Sequence, residues 1–101
     1  MIRALATPEA RADLRAIWEY IADVNIEAAD RVLDQIEEAF NRLADMPGIG
    51  HFRLDFLDRR YRFYTVYSYV IAYRWEAQPI EIIAVIHGAR NLRAFLRDRD
   101  K

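Results

Sequence analysis

Ile80-Glu81-Ile82-Ile83-Ala84-Val85-Ile86 is a nearly unbroken β-branched run. Alternating apolar and polar residues would mark a strand with one wet face. Continuous apolarity marks a central strand covered on both faces. Gly88 ends the run. Upstream, Arg60 to Tyr67 alternates and is rich in Tyr, Phe, Thr and Val. Tyr69 to Trp75 continues the pattern, with Ser68 at the turn, and Glu76-Ala77-Gln78-Pro79 supplies the next turn. Three strands therefore follow one another within residues 60–87, after a loop over 47–59.

The chain ahead of that loop has a helical period. Thr7 is placed to cap a helix and Pro8 to open it, where a missing N–H costs nothing. Glu9 and Asp13 put negative charge near the positive helix start. Leu14, Ile17, Trp18 and Ile21 recur at i, i+3, i+4 and i+7, and the helix is expected to end near Asp23. Asn25 caps a second helix whose apolar face is Ala29, Val32, Ile36, Phe40 and Leu43, with Leu33 and Ala39 beside it. Met46-Pro47-Gly48-Ile49-Gly50 stops it. The two helices form an antiparallel hairpin over residues 8–45. Ile2 to Ala6 suits a short first strand. After Gly88, Leu92, Phe95 and Leu96 fall at helical spacing with Arg90, Arg93 and Arg97 on another stripe, which predicts a C-terminal helix over 89–98. The order β-α-α-β-β-β-α is α+β: one domain over 1–101, with a helical hairpin packed on one face of a small, mainly antiparallel sheet.

Length and composition agree. A chain of 101 residues and 12.0 kDa suits one domain, and 53% hydrophobic residues exclude a disordered chain. No cysteine is present, which excludes disulfides, iron–sulfur clusters and cysteine-based zinc sites. His51 and His87 match no metal-ligand spacing, so neither metal nor cofactor is expected. No apolar run approaches the ~18–20 residues that span a bilayer. The opening Met-Ile-Arg-Ala-Leu, followed by Pro8 and Glu9, lacks the pattern of a signal peptide. A soluble, cytoplasmic domain without membrane contact is the expectation. The charge is uneven: residues 1–50 carry five arginines and ten acids, and residues 51–101 carry nine arginines, one lysine and six acids. An acidic half joined to a basic half suggests a molecule with two faces, the basic one suited to an acidic partner or to nucleic acid.

The sheet's second face must be solvated, or covered by a partner or the last helix. Tyr61, Tyr64, Tyr67, Tyr69, Tyr73 and Trp75 crowd its strands, and an open face bearing them with arginines is the expected binding surface. The residues with chemical potential are Arg62, Arg74, His87 and Arg90, with His51 and Arg53 in the loop. A metal-independent ribonuclease needs a base, an acid and cations around one phosphate, and one histidine with two or three arginines supplies that set. Ser68 is the only serine, and no phosphate-binding glycine loop is present.

Four stretches in order carry a family likeness: Ala10 to Ile21, Leu43 to Gly50, Tyr69 to Arg74, and Ile82-Ile83-Ala84-Val85-Ile86-His87-Gly88-Ala89-Arg90-Asn91. With these spacings the chain resembles the ParE branch of the RelE/ParE toxins of bacterial type II toxin–antitoxin systems. The resemblance implies a β-α-α-β-β-β core and a cognate ParD-like antitoxin, whose disordered C-terminal segment folds as it wraps the toxin into a hetero-oligomer. ParE-like members inhibit DNA gyrase and so replication. RelE-like members enter the ribosome and cut mRNA, using basic sheet residues with a Tyr or His near the C-terminus. Here the lysines of the RelE type are missing, while Arg62, Arg74, His87 and Arg90 keep the nuclease alternative open. A non-toxic antitoxin-binding member is the third possibility. For antitoxin contact the expected residues are Trp18, Tyr20, Arg62, Tyr64 and Arg74, on an apolar groove of the hairpin plus exposed sheet. For target contact they are Arg90, Arg93 and Arg97.

Overall fold

The computed structural model describes residues 3–97 and 99. Strand β1 (Ala4–Ala6) leads into helices α1 (Pro8–Ala22) and α2 (Ile26–Asp45), then a 3-10 turn at Pro47–Ile49. Strands β2 (Tyr61–Val66), β3 (Tyr69–Arg74) and β4 (Ile80–His87) and a short helix α3 (Leu92–Leu96) complete the order. The expected caps form: Thr7 Oγ1 accepts from the Ala10 N–H at 3.1 Å, and Asn25 Oδ1 from the Ala28 N–H at 3.0 Å. The last helix is shorter than expected. The Ala89 and Arg90 N–H groups turn back onto His87, and Asn91 caps the helix through the Ala94 N–H, so it opens at Leu92 rather than 89. Position 98, the expected end, lies outside the described residues.

The sheet runs β1-β4-β3-β2, with β1 parallel to β4 and the other pairs antiparallel. On one face α1 and α2 cover Val66, Ile71, Tyr73, Ile80, Ile82 and Val85. The other face is not the open aromatic surface expected; of the coverings the sequence allowed, the last helix is the one that forms. Tyr61, Phe63, Val70, Ala72, Ile83, Ala84 and Ile86 are buried there against Leu92 and Leu96 of α3 and Phe56 of the 51–59 loop. The physical reason lies in β4, whose apolar residues cannot leave either face wet. Phe56 packs edge-on against Tyr61 and Phe63 at 5.6 and 5.7 Å.

Two polar nodes hold the layers in place. β1 ends its pairing at Ile82, and one residue on, Ile83 forms a bulge between the Ala72–Ala84 and Tyr73–Ile82 pairs. The outer edge of β4 is therefore satisfied by side chains. Asp13 accepts from the Val85 N–H at 3.0 Å and from both Arg99 Nη atoms at 2.8 and 2.9 Å. Arg99 also donates to the Ile83 carbonyl and stacks 4.4 Å over Phe95. This clasp ties the C-terminal segment to α1. The second node joins the end of α2 to β3. Tyr73, fully buried, donates its hydroxyl to the Pro47 carbonyl at 2.6 Å and accepts the Gly50 N–H at 3.0 Å. A Cβ at position 50 would lie 2.5 Å from Tyr73 Oη and 2.9 Å from the Phe63 carbonyl, so only glycine fits. Burial pushes the Tyr73 phenol above its ordinary pKa, against the opposing pull of the Gly50 N–H and Arg62.

Tyr73→Phe is expected to cost about 1–3 kcal/mol in urea denaturation, because the Gly50 N–H and Pro47 carbonyl lose a shared buried partner. Gly50→Ala is expected to cost more, and less in the Tyr73→Phe background than in the wild type, since the nearest clashing atom is then gone. The raised Tyr73 pKa has a defined sign. Above pH about 10 the unfolded phenol loses its proton while the folded one keeps it, so stability falls as pH rises through that range. Chemical denaturation at stepped alkaline pH measures this, and the slope is expected to be shallower in Tyr73→Phe.

Candidate functional site

Of the depressions on the described surface, two combine an apolar lining with charged or hydrogen-bonding groups in an arrangement suited to binding. The first is a groove of about 990 Å³ between the helices and the free side of β1. Ala4, Leu5, Leu14, Leu33 and Phe40 give it an apolar lining. One wall carries Arg11, Arg15 and Trp18 of α1, spaced i, i+4, i+7. The other carries Asp30, Asp34 and Glu37 of α2, spaced i, i+4, i+7 as well. Trp18 is half-buried at the rim and donates its indole N–H to Asp30 Oδ1 at 2.8 Å, which fixes the ring across the two helices. An apolar floor between a cationic and an acidic wall fits an amphipathic segment.

The second depression is a cleft of about 510 Å³ at the end of the sheet, lined by Ile17, Tyr20, Ser68, Tyr69, Val85, Ile86, His87, Arg90 and Phe95, among others. Tyr20 is 79% exposed. It lies two residues beyond Trp18, about 200° around the helix, and so faces the cleft rather than the groove. The His87 ring meets Tyr69 edge-on at 5.7 Å. Burial, with Tyr20 nearby, raises the Tyr69 phenol pKa.

The residues expected to contact an antitoxin do not form one patch. Trp18 lines the groove and Tyr20 the cleft. Tyr64 packs against the helix-side core, with Arg42 5.9 Å above its ring. Arg62 is a structural residue. Its guanidinium lies 4.2 Å from both the Phe52 and Trp75 rings, and Nη1 donates to the Gly50 carbonyl at 2.8 Å. Its Nε is buried with no acceptor among the described residues. Arg74 pairs with Glu81 at 3.4 Å.

The nuclease set is dispersed too. Arg62 stands opposite Tyr73 and Arg74 opposite Tyr61, and those tyrosines belong to the two different faces of the sheet. His87 pairs with Tyr69 at the far end of β3, roughly 16 Å from the Arg74 end at the usual strand rise. Only His87 and Arg90 share a depression. The expected target residues Arg90, Arg93 and Arg97 are all exposed. Arg93 donates to the Asp55 carbonyl at 3.2 Å, and Arg90 lies 5.6 Å over Phe95. Among the described residues no group of histidines and acids is arranged to hold a metal ion, and no helix is long and apolar enough to cross a membrane.

Sequence reasoning missed Arg11 and Arg15 and the acids facing them. The i, i+4, i+7 spacing on both helices was the available signal. Ser68 and Phe95 of the cleft carry no such signal, because the cleft is assembled from three separate parts of the chain.

Residues 5–92 match the family described as ParE toxin of type II toxin-antitoxin system, parDE. The chain belongs to the ParE toxin family. Toxin ParE3 of Caulobacter vibrioides is 29% identical over 97 residues, spanning 95% of this chain and 96% of the relative. The fold is also that of a chain in the chromosomal ParDE TA system from P. aeruginosa. That match has a TM-score of 0.70 at 23% identity and covers 86% of this chain and 96% of the other. The protein is thus a ParE-type toxin of a type II toxin–antitoxin system, and its family implies an antitoxin partner.

The toxin's arginines should separate into two groups on mutation. Arg62→Gln removes the cation from between two rings and is expected to lower stability by about 1–2 kcal/mol and to change the emission of Trp75. Arg90→Gln, on the surface, is expected to stay within about 0.5 kcal/mol of wild type. Urea denaturation followed by tryptophan fluorescence measures both.

Proposed function

We propose that the toxin acts in the cytoplasm by binding and inhibiting DNA gyrase, which blocks replication, and that a cognate ParD-like antitoxin silences it by folding into the α1–α2–β1 groove. The observation that carries a binding mechanism is the dispersal of Arg62, Arg74, His87 and Arg90 over two faces and two ends of the sheet. A ribosome-dependent endonuclease would need its acid, base and cations around one phosphate. Arg62 and Arg74 are instead engaged by groups of the same chain, two rings and Glu81 respectively. Family membership supports the toxin role and the antitoxin partner. The exposed Arg90, Arg93 and Arg97 support a target contact on the side of the sheet away from the hairpin.

The groove has chemistry suited to an antitoxin segment that orders on binding. Its floor buries an apolar stripe, and its two walls select acids on the α1 side and bases on the α2 side of an incoming helix. Trp18 is the anchor, a half-buried aromatic held in one orientation by Asp30.

Purified gyrase is expected to lose supercoiling activity as toxin is added and to regain it when the ParD-like antitoxin is supplied in excess. Unchanged supercoiling at a large molar excess of toxin contradicts the gyrase assignment. Expression without antitoxin is expected to arrest growth, and normal growth would favour the non-toxic reading. Trp18→Ala is expected to weaken antitoxin binding at least tenfold, about 1.4 kcal/mol or more, in isothermal titration, while gyrase inhibition persists.

A further inference from the structure

The cleft at the end of the sheet has chemistry that neither the antitoxin groove nor the arginine stripe accounts for. Its floor is aliphatic and aromatic: Ile17, Val85, Ile86 and Phe95. Its polar atoms are mostly donors. His87 Nδ1 accepts the Ala89 N–H at 3.2 Å, so the neutral ring carries its proton on Nε2, and the edge contact with Tyr69 holds the ring in place. Among the described residues no carboxylate pairs with Arg90. Among the described residues the one acid lining the cleft, Asp13, is already neutralised by Arg99. An apolar floor with a guanidinium that meets the Phe95 ring and no carboxylate among the described residues, beside an oriented imidazole N–H, calls for an apolar group joined to an anion.

The Gly88 N–H donates to the Ser68 carbonyl at 2.7 Å, the Ala89 N–H to His87 Nδ1, and the Arg90 N–H to the His87 carbonyl at 2.9 Å. The first three amides after β4 are therefore turned to partners within the chain. One guanidinium and one imidazole N–H match a carboxylate.

From this we infer that the cleft receives an acidic segment of the target protein, with an aromatic or aliphatic side chain on the Ile17–Ile86 floor and an adjacent carboxylate on Arg90 and His87. Tyr20, standing exposed at the rim, closes over the side chain. This deepens the proposed function and rests on it at one point, that the target is a protein.

The test uses full-length, ¹⁵N-labelled toxin and three probes. One is an acetylated and amidated Gly-Phe-Glu-Gly-Gly peptide, the second is the same peptide with Gln for Glu, and the third is a short oligothymidylate. The acidic peptide is expected to shift the amides of Ser68, Tyr69, His87 and Arg90, and to bind at least fivefold more tightly than the Gln peptide. Arg90→Gln, with its melting temperature unchanged, is expected to reduce the acidic peptide to the level of the Gln peptide. Tyr20→Ala is expected to weaken both peptides. Equal binding of the two peptides, shifts confined to the α1–α2 groove, no shifts at all, or tighter binding of the oligothymidylate at these amides would each overturn the inference. Gyrase assays on the same variants separate the two claims. Peptide binding in the cleft by a toxin that leaves gyrase untouched refutes the gyrase reading alone. Gyrase inhibition that is insensitive to Tyr20→Ala and Arg90→Gln refutes the cleft as a target contact alone.

Discussion

Strand β4 carries apolar side chains on both faces, and everything else in the molecule answers to that. One helix pair can cover only one side of a four-stranded sheet. The second side is sealed by a small layer, five residues of α3 and the aromatic loop over 51–59. Because that layer is thin, it depends on anchors. The Asp13–Arg99 clasp holds its C-terminal end against α1, and the His51–Phe63 bridge, with both N–H···O contacts at 2.8 Å, holds the loop against β2. On the other, hairpin-covered face Arg62 also turns inward. It rests in the corner made by the Phe52 and Trp75 rings while its Nη1 donates to the Gly50 carbonyl.

The consequence for function is a separation of surfaces. With the sheet closed on both sides, its aromatic residues serve the interior, and interaction chemistry is left to the margins. The α1–α2–β1 groove has charged walls of both signs. The cleft beyond His87 has an apolar floor and cationic donors. These sites share α1, which presents Trp18 to one and Tyr20 to the other. A protein that must be silenced by one partner and act on another can use the two sides of a single helix to keep those contacts apart.

Much of this was legible in the sequence. Thr7, Pro8 and Asn25 mark the helix starts through capping chemistry that needs no tertiary context, and the β-branched run marks the central strand. Other features depend on long-range pairing. The bulge at Ile83 falls one residue beyond the end of the β1 pairing at Ile82, and no local signal reports it. The closure of the second face depends on Phe56, Leu92 and Leu96 meeting across the sheet, which spacing along the chain does not reveal. The separation of Arg62 from Arg74 was within reach. A two-residue turn at Tyr67-Ser68 pairs Val66 with Tyr69, and strand alternation then sends the two arginines to opposite faces. Tyr67, with φ at 54°, is the strained residue that makes so short a turn possible.

The claim that the α1–α2–β1 groove and the cleft beyond His87 are separate working surfaces is tested most directly by hydrogen exchange, followed by mass spectrometry, on the toxin free and bound to its antitoxin. Added protection should appear in peptides from β1, α1 and residues 30–41 of α2, and be absent from those covering Ser68, Tyr69 and residues 87–97. Protection that extends across both regions would mean that one continuous surface serves the antitoxin, and the division described here would be wrong.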